Sequence, residues 1–113
     1  MAREKVLPHD LAAEESVLGS ILIDKDSLIE VVEFLRPDHF YDPRNQVVFE
    51  AILTLYQKNE PIDIITLTAT LKSAGSYTKA GGKSYLSDLV NTIGTSAHIE
   101  KYARLIQEAA TKR

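Results

Sequence analysis

Apolar residues recur along the chain at spacings of three and four, and the residues that interrupt them are those that begin and end helices. The pattern predicts six helices. The first covers about residues 11 to 22, with Asp10 as its N-cap, Glu14 and Glu15 well placed in the first turn, and Leu11, Leu18, Ile21 and Leu22 as its buried stripe. The second runs over about residues 27 to 35 and buries Leu28, Val31, Val32 and Leu35. It must stop near Arg36, because Pro37 disfavours helical geometry in the residue before it. A short loop over 37–41 then leads to Asp42-Pro43, the sharpest boundary in the chain. Asp42 supplies the N-cap, and Pro43 takes the first helical position, where its missing N–H costs nothing.

The third helix reaches to about residue 58. Its apolar positions Val47, Val48, Ala51, Ile52, Leu55 and Tyr56, with Phe49 at the margin, cover about half the circumference, wider than the roughly 100° stripe of a surface helix. This predicts the central helix of the fold. After Asn59-Glu60-Pro61, Asp63 caps a fourth helix carrying Ile64, Leu67, Leu71 and Ala74, and Gly75 stops it. Its threonines make it intrinsically weak, so packing must hold it. Residues 76–82 read as a loop. Tyr85, Leu86, Leu89, Val90 and Ile93 then mark a fifth helix ended by Gly94. A sixth begins at Thr95 or Ser96 and carries Ile99, Tyr102, Ala103, Ile106 and Ala110, with little chain left to pack against it. The β-branched run over 62–68 lies between the Asp63 cap and the Gly75 stop, which favours helix there too. The expected class is all-α, a compact bundle of about six helices.

Composition adds limits. Hydrophobic residues make up 44% of the 113, enough for one small core. The 13 basic and 16 acidic residues give a charge of -3, with the signs interspersed, so the sequence shows no concentrated basic surface for phosphate neutralisation. The absence of Cys excludes disulfides and thiolate ligands. No apolar run has the length of a signal peptide or membrane span, which makes the cytoplasm the default setting.

Gly82-Lys83-Ser84 resembles the end of a phosphate-binding loop, but the spacing requires glycine at position 77, which is Tyr77, and no strand is expected before it. His9, His39 and His98 are far apart and have no metal-binding spacing. Glu14 projects among Leu11, Val17, Leu18 and Ile21, on the core side of the first helix, where a carboxylate needs a partner. The expectation is a structural one, hydrogen bonds from a neighbouring helix start or a basic side chain. Asp42 and Asp63 are likewise structural caps. Phe34, Phe40, Phe49, Tyr56 and Tyr102 sit mostly at core spacing, whereas Tyr85, first in an apolar stripe beside a glycine turn, suits either core or a wet interface. No catalytic, cofactor or metal residues emerge.

Seven segments in order resemble the N-terminal domain of bacterial replicative DNA helicases of the DnaB family. They are Pro8-His9-Asp10-Leu11 leading to Ala13-Glu14-Glu15-Ser16-Val17-Leu18-Gly19, Asp38-His39-Phe40-Tyr41-Asp42, Val48-Phe49-Glu50-Ala51-Ile52, Pro61-Ile62-Asp63-Ile64-Ile65-Thr66-Leu67, Gly81-Gly82-Lys83-Ser84-Tyr85-Leu86, and His98-Ile99-Glu100-Lys101-Tyr102-Ala103-Arg104-Leu105-Ile106. The resemblance implies an N-terminal extension over 1–9, a helical bundle over 10–94, and over 95–113 the first arm of a helical hairpin whose second arm is missing, as in an excised fragment. It implies a non-catalytic collar on a hexameric motor, self-associating as dimers or a trimer of dimers and recruiting primase. A helicase loader is a further candidate partner. ATP hydrolysis belongs to a separate motor domain. Primase contacts in the family involve the tyrosine matched by Tyr85. The family's often acidic first-helix site is Ala12 here, a departure from that footprint. Tyr85 and the stripe of Ile99, Tyr102 and Ile106 are therefore expected at protein interfaces, with neither nucleic acid nor membrane as a direct partner. A small helical nucleic-acid-binding or regulatory domain is the alternative reading, distinguished by steep salt-dependent DNA binding.

Overall fold

A computed structural model describes residues 7–92 and 98–113. The expected fifth-helix residues Ile93 and Gly94, the sixth-helix start at Thr95 or Ser96, and positions 1–6 of the N-terminal extension lie outside the described residues. Among the described residues there are five α-helices: α1 (Leu11–Ile23), α2 (Pro43–Gln57), α3 (Ile64–Ser73), α4 (Gly82–Val90) and α5 (Ile99–Lys112). Two 3-10 segments, Lys25–Glu30 and Pro37–His39, fill the connection between α1 and α2. No strand occurs among the described residues, and none of their helices is long and apolar enough to cross a membrane.

The helix starts follow from local chemistry. The Asp10 carboxylate accepts from the Ala13 N–H at 3.0 Å, and Asp42 accepts from Arg44 N–H at 2.9 Å with Pro43 behind it. Asp63 accepts from the Ile65 and Thr66 amides, both at 2.9 Å, and its own N–H donates to Thr66 Oγ1 at 3.0 Å. This reciprocal pair ties off two free amides and offsets the low helix propensity of the Thr-rich α3. Gly75 closes α3 at a φ of 71°.

The second expected helix is corrected. Residues 25–30 form a 3-10 segment and 31–34 a turn, although Leu28, Val31 and Leu35 are fully buried as expected. Asp24 caps the segment, its carboxylate accepting from Asp26 N–H, and its carbonyl accepts from both the Ser27 N–H at 3.0 Å, the i to i+3 closure of a 3-10 turn, and the Ser27 hydroxyl at 2.8 Å. The Ser27 hydroxyl, bonded to the backbone three residues back, supports that tighter turn. Pro37–His39 is likewise a 3-10 turn rather than open loop.

One core joins all five α-helices, with Leu18, Ile21, Phe40, Phe49, Ile52, Leu67, Leu86 and Leu89 among its fully buried members. α1 packs against α2, α4 and α5, and α3 bridges α2 and α4. At the α1–α4 crossing the backbone of Gly19 comes so close to Leu89 that an added Cβ would stand 2.7 Å from the Leu89 carbonyl oxygen.

The last helix departs most from expectation. Instead of lacking a surface to pack on, α5 lies along α1 and both 3-10 segments, with Ile99, Ala103 and Ile106 buried. The reason is α1 itself, which buries side chains nearly all the way round and so presents a face to α5 as well as to α2 and α4. Smaller departures fall at stripe edges, where Leu11, Tyr56 and Ala74 are exposed rather than buried.

Candidate functional site

A polar network is built where α1, α2 and α4 meet. Glu14, one turn into α1, is 1% exposed, and Asn45, in the first turn of α2, is fully buried. Glu14 Oε2 accepts from the Tyr41 N–H at 2.7 Å. Oε1 accepts from Asn45 Nδ2 at 2.8 Å and from the Asp42 N–H at 3.3 Å. The carboxylate thus caps the start of α2 from across the core, the structural role its sequence position implied. Negative charge at a helix N-terminus is favourable, and burial removes the competing water.

Asn45 passes the network on. Its Oδ1 accepts from the Tyr85 hydroxyl of α4, so one amide connects a carboxylate on α1 to a phenol on α4. Gly81, the residue before α4, adopts a φ of 98° directly beneath the tyrosine, where an added Cβ would lie 2.5 Å from Tyr85 Cβ. Glycine at that position leaves room for the Tyr85 side chain at the helix start and accepts the positive φ. Burial, followed by the nearby Glu15 charge, pushes the Tyr85 phenol up to about 12, so it stays a protonated donor across the physiological range.

Tyr85 is 8% exposed, which resolves its ambiguous reading. The hydroxyl end is core, and the ring face is covered by Arg44, whose guanidinium carbon lies 3.8 Å from the ring centroid. Arg44 is held in turn by a two-toothed ion pair with Asp42, with Nη2 to Oδ2 at 2.7 Å and Nε to both oxygens at 3.1 and 3.2 Å. Its side chain remains 43% exposed. Hydrogen bonding by Arg44 also holds the Asp42 carboxyl below its usual range. The outer surface of this corner is therefore a fixed cation stacked on an aromatic ring, with Glu15 alongside.

The other expected interface residues lie elsewhere. Ile99 and Ile106 are buried in the chain's own core, which corrects their expected place on a free surface. Tyr102 is partly buried, with its ring edge-on to His98 at 6.2 Å between centroids. Asp42 and Asp63 are the caps expected of them. Asn45 and Arg44 were not anticipated, although Asn45 shares a helical face with Val48, Ile52 and Leu55, a core position whose polar occupant signals a buried partner.

No described cluster of His, Asp or Glu could hold a metal ion. Gly82-Lys83-Ser84 opens α4 after a turn rather than after a strand, so it lacks the geometry of a phosphate loop. His9 stacks on Tyr41 at 4.1 Å, and His39 Nδ1 accepts from the Arg36 N–H at 3.0 Å. That bond requires an unprotonated Nδ1. Burial lowers the His39 pKa, Asp38 opposes it, and Arg36 and Arg113 add to the lowering. A histidine depressed on folding contributes stability that is complete above its unfolded pKa near 6.5 and is lost as pH falls through the folded value. Urea unfolding measured from pH 7.5 down to 5 should therefore show a decline that His39→Gln flattens. An equal decline in both proteins would remove His39 as its source.

Comparison with known proteins follows the same outline. The model of the DnaB-like helicase N terminal domain matches residues 6–108. The replicative DNA helicase DnaB of Leifsonia xyli subsp. xyli is 43% identical over 110 residues, covering 97% of this chain and 24% of that protein. The crystal structure of the N-terminal domain of DnaB helicase from Mycobacterium tuberculosis superposes with a TM-score of 0.90 at 44% identity, covering 96% of this chain and 75% of that one. A structure described as that of a DnaB-like replicative helicase and its interactions with primase shares the fold, with a TM-score of 0.79 at 24% identity over 92% of this chain and 24% of that one. The chain spans between 12% and 25% of the length of the curated relatives it matches.

Proposed function

Because this chain belongs to the DnaB-like helicase N terminal domain family, we propose that it is a non-catalytic scaffold of a replicative DNA helicase, supporting hexamer assembly and recruiting primase during DNA replication. The observation that carries the recruiting role is the Arg44–Tyr85 corner. A rigid aromatic ring under an ordered guanidinium is the kind of anchor that dominates protein interfaces, and the buried Glu14–Asn45 relay fixes it before a partner arrives. A relative of this fold is described together with its interactions with primase, which makes primase the partner of choice. The replacement of the often acidic first-helix position by Ala12 shifts the polar part of the footprint toward Glu15 and Arg44.

Self-association belongs to the same reading. A dimer, or a trimer of dimers in the full hexamer, would form through surfaces other than Ile99 and Ile106, which α1 already covers. A helicase loader is a second candidate partner of the collar. The test is calorimetric titration of the helicase-binding domain of the cognate primase. Tyr85→Ala should weaken binding at least about tenfold, as loss of a hot-spot aromatic does, and Arg44→Ala should weaken it by less. Wild-type affinity in Tyr85→Ala would remove this corner from the primase surface.

A further inference from the structure

From Ile64 to Ser87, through α3 and the first turns of α4, the chain has Lys72, Lys79 and Lys83 and neither Asp nor Glu, although 16 of its 113 residues are acidic. The fold gathers part of this acid-free stretch around a groove of about 380 Å³, on the flank of α4 that faces α3 and away from Tyr85. Ile64, Ile65, Tyr77 and Leu86 are its floor, and Lys72 and Lys83 stand on its rim. Ile65 is 77% exposed, the most exposed of the large apolar side chains described.

Floor and rim together restrict what fits. A cationic rim without a carboxylate attracts acidic groups and repels basic ones, while the exposed isoleucine calls for an apolar surface against it. Single-stranded nucleic acid is the poorer match. Tracking phosphates needs a denser basic surface, and stacking needs an open ring, whereas the half-buried Tyr77 has Lys72 Nζ 5.0 Å from its centroid. The 10 residues of α3 make the groove about 15 Å long, or about three turns of a second helix laid along it. An amphipathic helix presents its apolar residues at that repeat and its charges beside them.

We propose that the α3–α4 groove docks an acidic amphipathic helix of another protein, its apolar stripe on Ile64, Ile65 and Leu86 and its carboxylates beside Lys72 and Lys83. Groove and Tyr85 corner lie on opposite sides of α4, so the two occupants can be held at once. The docking site stands on the groove and does not rest on primase binding.

The probe is a fluorescein-labelled synthetic helix of about 15 residues, with Leu at i, i+4 and i+7 and Glu flanking them. Its anisotropy is followed during titration with the 113-residue chain, and amide shifts of the labelled chain locate it. Shifts should centre on Ile65, Lys72, Lys83 and Leu86, and the same peptide with every Glu replaced by Lys should bind at least about tenfold more weakly. Lys72→Glu/Lys83→Glu, altered only at exposed positions and checked for helical content by circular dichroism, should reverse that preference. Ile65→Ala should weaken the acidic peptide at least about fivefold through lost apolar contact. Absence of binding up to about 1 mM peptide, equal affinity for the two peptides, or shifts centred elsewhere would overturn the proposal, with the primase test of the Tyr85 corner unaffected. Displacement of the peptide by oligothymidylate, or groove shifts that grow with chain concentration in its absence, would also overturn it, assigning the groove to nucleic acid or to a second copy.

Discussion

Glu14→Ala should cost about 3–5 kcal/mol in urea unfolding, a large part of the stability of a domain this size. Among the described residues the carboxylate is the one hydrogen-bond acceptor of the Asn45 side-chain amide and of the Tyr41 and Asp42 N–H groups, and Asn45 is fully buried from water. Removing it leaves the buried Asn45 side-chain amide unpaired and the part-buried Tyr41 and Asp42 N–H groups without their acceptor, and it opens a cavity beside α1. Glu14→Gln keeps the volume but points an amide donor at other donors, so it should fall between wild type and alanine. A loss below about 1 kcal/mol for alanine would mean that the network does not hold the three helices together.

Ile106→Ala carries the second large effect. In an interface-only role its truncation would weaken association and leave the isolated chain as stable as before. Packed as it is, 1% exposed against α1, its loss should cost about 2–5 kcal/mol in unfolding of the monomer, with the cost independent of protein concentration. Unfolding that is unchanged at low concentration would place α5 off the body of the fold.

These two residues mark how far the sequence could be read. Asp10, Asp42-Pro43, Asp63 and Gly75 bounded three helices correctly because capping depends on atoms within one turn of the cap. Glu14 was legible as a buried carboxylate because a helical projection puts it among apolar neighbours. Its partner was a neighbouring helix start, as expected, but Asn45 as the relay depends on how α1 crosses α2 and is not local information. The spacing of Leu28, Val31 and Leu35 fits an α-helix and a 3-10 segment alike, and spacing alone does not distinguish an i to i+3 closure such as Ser27 N–H to the Asp24 carbonyl. Ile99 and Ile106 were read as an unpaired stripe because amphipathicity shows that a face is covered without showing what covers it. Here another helix of the same chain does so.

The Tyr85 corner illustrates the same limit in the functional site. Resemblance pointed to the tyrosine, and its spacing allowed either core or interface. The fold places it in the core, with the hydroxyl bonded inward to Asn45 and the ring serving as the base for Arg44, and its part in an interface is the proposal. A Tyr85→Phe variant would therefore separate the two functions, losing the inward bond while keeping the stacking surface.

The α1–α2–α4 corner is the surface proposed for primase. Amide chemical-shift mapping of the labelled chain, during titration with the cognate primase helicase-binding domain, examines this most directly. Perturbations should concentrate on Glu15, Arg44, Tyr85 and their immediate neighbours. A titration that leaves those amides in place, or that shifts only the groove around Ile65 and Lys83, would contradict it.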